Sequence, residues 1–192
     1  MIDVGSLYKI EADDKVFIDT NILIFLFAPS FVNSHQYQIN KYSEIFKKLV
    51  SSKCELYVNE LVISEFVNRC MRIDFERNFN SNGDKDYKKD YRTSVAFDTT
   101  MKIVLKQLNK FLSLAKQVDD DFINFNVISS ITANIKSDFN DLVIADTVNK
   151  KSLKLLTDDG DFKNETITVS SQNVHASSTV FCLQQFIYLD NE

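Results

Sequence analysis

Compact apolar runs and stretches of helical period alternate along the chain. Lys15-Val16-Phe17-Ile18-Asp19 is an apolar run ending in a polar cluster, the pattern of a buried parallel strand that empties into a loop. Tyr37, Ile39, Tyr42, Ile45, Phe46, Leu49 and Val50 recur at helical spacing, and Glu55-Leu56-Tyr57-Val58 reads as a second strand. A helix is expected from about Asn59, where Leu61, Val62, Phe66, Val67 and Cys70 form an apolar stripe. Residues 78 to 93, NFNSNGDKDYKKDYRT, have no apolar periodicity and read as a mobile surface loop. A long helix should run from about Ser94 to Val118, followed by an acidic turn and a strand over Phe122 to Ile128. Short helices are expected over Ser130 to Lys136 and Asn140 to Lys151, with strands over Leu153 to Thr157 and Thr166 to Ser170. The closing stretch STVFCLQQFIYL takes no definite type.

Strands alternating with helices predict an α/β fold, a central and mainly parallel sheet covered on both faces. At 192 residues, with 44% apolar content and neither repeat nor linker in the sequence, the expectation is one domain over residues 1–192. The net charge of −5 means that a nucleic-acid partner would need a local basic patch. Three widely spaced cysteines argue against a disulfide framework or zinc knuckle, and two histidines against a histidine metal cage. Acids stand where a signal peptide would be basic, and no apolar run reaches membrane-spanning length. The expected setting is cytoplasmic, with no membrane partner.

In open α/β sheets, sites form at the carboxyl ends of the strands, so acids just after strands are the ones to follow. Each has a plain structural explanation. Asp19 in FIDTN makes a good helix N-cap. Glu65 in LVISEFVNR is a helical glutamate at the edge of the apolar stripe. Asp141, three residues after Asp138, suits a first helical turn. Asp159 and Asp161 flank the turn residue Gly160. Together they are expected at one edge of the sheet. Unit charges about 4 Å apart repel by about 4 kcal/mol at an effective dielectric of about 20, so converging carboxylates call for a divalent cation. Carboxylates without histidine or thiolate favour Mg²⁺ or Mn²⁺ over zinc, and the implied chemistry is metal-assisted phosphodiester hydrolysis.

The order VFIDTNILI, LVISEFVN, DLVIADTV and LLTDDGDF, spanning Val16 to Phe162, resembles the PIN domain, whose members include the VapC-type ribonuclease toxins of toxin–antitoxin pairs. The resemblance implies a three-layer α/β/α sandwich and a Mg²⁺- or Mn²⁺-dependent endoribonuclease acting on RNA, with an antitoxin protein as partner where the toxin reading holds. By position it makes Asp19, Glu65 and Asp141 the first three acids, and Asp159 and Asp161 the acids of a T-x-D-x-D-F motif completed by Thr157 and Phe162. Thr20 and Asn21 match the small polar pair after the first acid, and Thr157 matches a hydroxyl residue of the site. Asp158 departs from the pattern, since many members have a basic or amide residue there.

A loop and helix inserted at about residues 74–118 lengthen the chain relative to small toxins, with substrate contact, partner binding and homodimer formation as candidate roles. Arg69, Arg72 and Arg77 offer a basic edge beside the acids. Lys85, Lys88, Lys89 and Arg92, with Tyr87 and Tyr91, form a mixture suited to single-stranded RNA. Asp84, Asp86 and Asp90 interleave with them, so a solvated charged loop is the expected state. Two rivals remain: a haloacid dehalogenase-like or other Mg²⁺-dependent phosphoryl-transfer protein, and a catalytically silent PIN-like module that binds RNA or protein. The dehalogenase-like pattern wants a second Asp two residues after the first, where this chain has Asn21.

Overall fold

The computed structural model describes residues 10–28, 36–135, 137–159, 162 and 180–182. Strand β1 (Lys15–Ile18) buries Val16, Phe17 and Ile18 in succession, as a strand covered on both faces must. Asp19 ends it and caps helix α1 (Thr20–Phe27), which turns Ile22, Leu23 and Ile24 into the core. Helix α2 (Gln36–Ser51) leads to β2 (Glu55–Val58), whose inward residues are Leu56 and Val58. Asn59 then caps α3 (Glu60–Asp74), its Oδ1 accepting from the Val62 amide at 3.1 Å. Helix α4 (Val95–Leu112), the edge strand β3 (Ala115–Gln117), the short helix α5 (Val127–Ala133), helix α6 (Phe139–Lys150), β4 (Lys154–Thr157) and β5 (Val180–Cys182) complete the described elements.

The five strands are all parallel, in the order β3-β2-β1-β4-β5, and the fold is a PIN-like three-layer α/β/α sandwich. From β1 the chain steps outward through β2 to β3, then returns to the other side of β1 to lay down β4 and β5. That reversal puts a crevice between the carboxyl ends of β1 and β4, the place where ligands bind in open parallel sheets. Pairing continues one residue beyond β1, where the Asp19 amide donates to the Leu156 carbonyl at 3.0 Å. The crevice therefore opens directly at Asp19. The main core gathers Phe17, Ile18, Ile22, Leu56, Val58, Phe66, Phe111, Leu155 and Leu156, while Phe125, Leu142 and Val143 form a smaller cluster under α5 and α6. Among the described residues no helix is long and apolar enough to cross a membrane.

Three sequence expectations are corrected. The helix assigned to Ser94–Val118 ends at Leu112, and Ala115–Gln117 pairs with β2 as an edge strand whose polar, little-buried residues hide it from pattern reading. The strand expected over Phe122–Ile128 is instead a single 3-10 turn (Phe122–Asn124) followed by α5. Polar side chains override the apolar run there: Asp120 Oδ1 accepts from the Phe122 amide at 3.1 Å, and Asn126 Oδ1 caps α5 through the Ser129 amide at 3.1 Å. Third, the segment 78–93 is not simply a solvated charged loop. Two wide helical turns, Phe75–Phe79 and Tyr87–Tyr91, bring Phe75, Phe79, Tyr87, Tyr91 and Phe97 into one aromatic cluster with Tyr91 fully buried. The strand expected over Thr166–Ser170 falls outside the described residues.

The insertion is pinned by a buried carboxylate. Asp74, at the last position of α3, accepts from the Tyr91 hydroxyl at 2.6 Å and the Thr100 hydroxyl at 2.8 Å on Oδ2, and from Asn78 Nδ2 at 2.7 Å on Oδ1. Three donors reaching it from the first wide turn, the second and α4 satisfy a carboxylate that burial would otherwise penalise. Burial and the neighbouring Asp74 carboxylate push the Tyr91 hydroxyl well above its ordinary range, so it stays a donor.

Candidate active site

Asp19 is buried at the mouth of the crevice, 5% exposed. Its two oxygens are already engaged by the chain: Oδ1 accepts from the Thr20 amide at 2.6 Å and Oδ2 from the Thr157 hydroxyl at 2.6 Å. The Thr157 hydroxyl accepts in turn from the Asp159 amide at 2.9 Å, a side-chain turn that bends the chain after β4. Asp159 is thereby swung back toward β1. Sequence spacing alone gives no hint of this, because the linkage joins residues 138 positions apart.

A second arm closes the network on the other side. Thr20, at the first position of α1 and fully buried, donates its hydroxyl to Glu65 Oε2 at 3.0 Å. Glu65 lies one turn into α3 and its Oε1 pairs with Arg69 at 3.4 Å. Arg69 Nη1 also donates to Asn21 Oδ1 at 2.7 Å, and Asn21 Nδ2 reaches Asp159 Oδ2 at 3.5 Å. The result is a closed circuit, Asp19 to Thr20 to Glu65 to Arg69 to Asn21 to Asp159 to Thr157 and back. Three carboxylates and one guanidinium share it. Asn21 orients as it does because its carbonyl faces a donor and its amide faces an acceptor.

The electrostatic consequence falls on Asp19. Burial pushes its carboxyl up from 3.8 to about 6, and the Glu65 and Asp159 carboxylates push the same way, against the lowering effect of the Thr157 and Thr20 hydrogen bonds. An acid displaced by burial together with neighbouring charges, at a switch point of the sheet, is a candidate for a functional site.

Of the residues singled out from sequence, Asp19, Thr20, Asn21, Glu65, Thr157 and Asp159 come together in this circuit. Asp141 lies half-buried in the first turn of α6, below the capping residue Asp138, whose Oδ1 accepts from the Asn140 amide at 2.8 Å. Asp161 lies outside the described residues. The expected basic edge is reassigned: Arg69 is a counter-charge within the acid circuit, while Arg72 stacks on Tyr87 with its Cζ 3.9 Å from the ring centroid. Lys88 and Arg92 stand exposed on and just after the second wide turn of the insertion, where Asp86 Oδ1 caps the Lys88 and Lys89 amides at 2.8 and 2.7 Å. Sequence reasoning missed Asp146, buried on α6 and paired with Lys150 at 2.8 Å; its position four residues before Lys150 was the available signal.

The donor chemistry suits a hard cation, since every anionic oxygen is a carboxylate. Among the described residues, however, no three His, Cys, Asp or Glu side chains converge tightly enough to enclose an ion by themselves. Mg²⁺ does not require such an enclosure, because it keeps several waters and is held through one or two carboxylates.

No protein-family model matches the sequence, and no curated protein does either. Among solved structures, the chain is similar to one in the crystal structure of VapBC2 from Rickettsia felis bound to a DNA fragment from their promoter. The match has a TM-score of 0.50 at 14% identity and covers 87% of this chain and 97% of that one. At that identity the likeness is one of fold.

Proposed function

We propose that the protein is a PIN-type, metal-dependent endoribonuclease, acting as the toxin of a toxin–antitoxin pair. The observation supporting this most directly is the convergence of Asp19, Glu65 and Asp159 at the switch point of the sheet, with the Asp19 carboxyl pushed up to about 6. Mg²⁺ or Mn²⁺ would be held by Asp19, Glu65 and Asp159, directly or through water, with Asp141 and Asp161 completing the acidic set. When bound, the ion supplies charge neutralisation at the scissile phosphate and lowers the pKa of a water.

The chain's own residues prepare that chemistry. The Thr157 hydroxyl and the Thr20 amide fix the Asp19 carboxylate by one hydrogen bond to each oxygen, and a carboxylate oxygen can accept more than one. Thr20 and Arg69 hold Glu65 from two sides, and Asn21 transmits the Arg69 position to Asp159. Such fixed side chains cost little reorganisation when charge develops on the phosphate. The likeness to the VapBC2 structure supports a VapC-type reading and, with it, an antitoxin protein as partner; RNA as substrate fits activity in the cytoplasm.

The test is cleavage of RNA by the purified protein with Mg²⁺ and with EDTA, comparing wild type, Asp19→Asn and Asp141→Asn. Cleavage should require the ion and fall by at least about a hundredfold in each variant, the scale for loss of one preorganised group in a site. Ion-independent cleavage, or full activity in Asp19→Asn, would refute the assignment; carboxylate-dependent metal binding without cleavage would identify a silent module.

A further inference from the structure

We propose that Arg72, stacked on Tyr87 of the insertion, is a phosphate contact that positions a single RNA strand across the acid site; this rests on the ribonuclease reading and adds a substrate-positioning residue to it. Glu65, Arg69 and Arg72 occupy positions i, i+4 and i+7 of α3, so all three lie along one stripe of the helix. At about 1.5 Å per residue, Arg72 stands about 10 Å beyond Glu65 along that stripe. A strand that runs along α3 from the acids therefore meets Arg72.

The two arginines are in different states. Arg69 is neutralised by Glu65 and tied to Asn21. Arg72 is exposed, and among the described residues it makes no ion pair, not even with Glu76 four residues on, where a helical pair forms most readily. Its partner is the Tyr87 ring, 3.9 Å from Cζ. Stacking covers one face of a planar guanidinium and leaves its N–H edge free, the edge that binds phosphate bidentately. Tyr87 is itself held by ring contacts to Phe75 at 5.3 Å and Tyr91 at 5.5 Å, and Tyr91 is anchored on buried Asp74. The insertion thus fixes an exposed cation in a chain of net charge −5, where the three carboxylates of the neighbouring site would repel an RNA phosphate unless a divalent cation offset them.

A stacked arginine that merely staples α3 to the insertion would have the same geometry, and binding experiments separate the two. Asp19→Asn protein in EDTA is titrated with a fluorescent single-stranded RNA of about 12 nucleotides across a salt series, alone and combined with Arg72→Gln or Arg72→Lys. Arg72→Gln is expected to weaken binding about tenfold at low salt and to reduce the slope of log K against log salt by about 0.7, the loss of one phosphate contact to a single strand. Arg72→Lys should retain the slope. Unchanged affinity and slope in Arg72→Gln would overturn the proposal. So would an equal loss of binding to poly-glutamate, which would mark the face as one for acidic protein segments. Thermal unfolding of Arg72→Gln within about 2 °C of its parent shows that the fold is intact, and a larger fall accompanied by unchanged RNA binding assigns the stack a stapling role alone. Cleavage with Mg²⁺ is read separately: its absence from wild type refutes the nuclease reading while leaving the Arg72 binding result standing.

Discussion

Replacing Asp19 with asparagine removes a charge that the fold holds at a cost, and the cost has a defined dependence on pH. The Asp19 carboxyl lies at about 6 in the native protein and at 3.8 when unperturbed. The unfolded chain therefore releases this proton first. Between about pH 4 and pH 6 the native state binds the proton that the unfolded state has lost, so stability falls as pH rises through that window and stays reduced above it. About two pH units of displacement correspond to about 3 kcal/mol. An asparagine at this position does not titrate and carries no such dependence. The stability of Asp19→Asn relative to wild type should then rise by up to about 3 kcal/mol from pH 4 to pH 7, equivalent to about 6–12 °C in Tm for a domain of this size. Any fixed penalty from the asparagine amide facing Thr157 is present at both pH values and cancels in the difference. The assay is urea unfolding of both proteins in EDTA at intervals from pH 4 to pH 7.5. Parallel stability curves would refute the reasoning, because they would mean that Asp19 ionises in the folded protein as it does in water. Saturating Mg²⁺ at pH 7 should restore wild type by about 2.7 kcal/mol at a hundred times Kd and leave Asp19→Asn unmoved.

Thr157→Val keeps the shape of a fully buried residue while deleting the hydroxyl between Asp19 and the Asp159 amide. It should destabilise the protein by about 1–3 kcal/mol in chemical denaturation, and the wild-type fall in stability should move to higher pH, since the lost hydrogen bond was lowering the Asp19 carboxyl. Tyr91→Phe removes one of three donors to buried Asp74 and should cost about 1–3 kcal/mol, while RNA cleavage, if the insertion keeps its seat through Asn78 and Thr100, stays within about twofold.

The alternation of elements was legible because β1, β2 and β4 bury their residues on a parallel sheet, and burial writes itself into the chain as apolar runs such as Val16-Phe17-Ile18 and Leu155-Leu156. Where burial is slight, the pattern fails: β3 is an exposed edge strand, and its three residues resemble the end of the preceding helix. The run around Phe122 misleads for the opposite reason. Its apolar residues look like a strand, but Asp120 and Asn126 offer the backbone local partners that a sheet would otherwise supply.

The charged loop shows the same limit from another side. Its composition is polar, yet Tyr91 is among the most buried residues of the protein because aromatic neighbours come from α4 and both wide turns. No window of sequence short enough to read as one element contains all of those partners.

By itself the sequence determined the α/β class, the acids standing after β1 and β4, and Glu65 on the helix after β2. These are local consequences of residue type and period. Only the tertiary structure decided which of the acids share a site, since Thr157 reaches Asp19 and Thr20 reaches Glu65 across gaps of 138 and 45 residues. It also decided that Arg69 pairs with Glu65 while Arg72, without an ion pair among the described residues, stacks on Tyr87. A charge has the same symbol in both places. What it does depends on which atoms the fold brings within a few ångströms, because electrostatic and hydrogen-bond energies fall off over that distance and ignore separation along the chain.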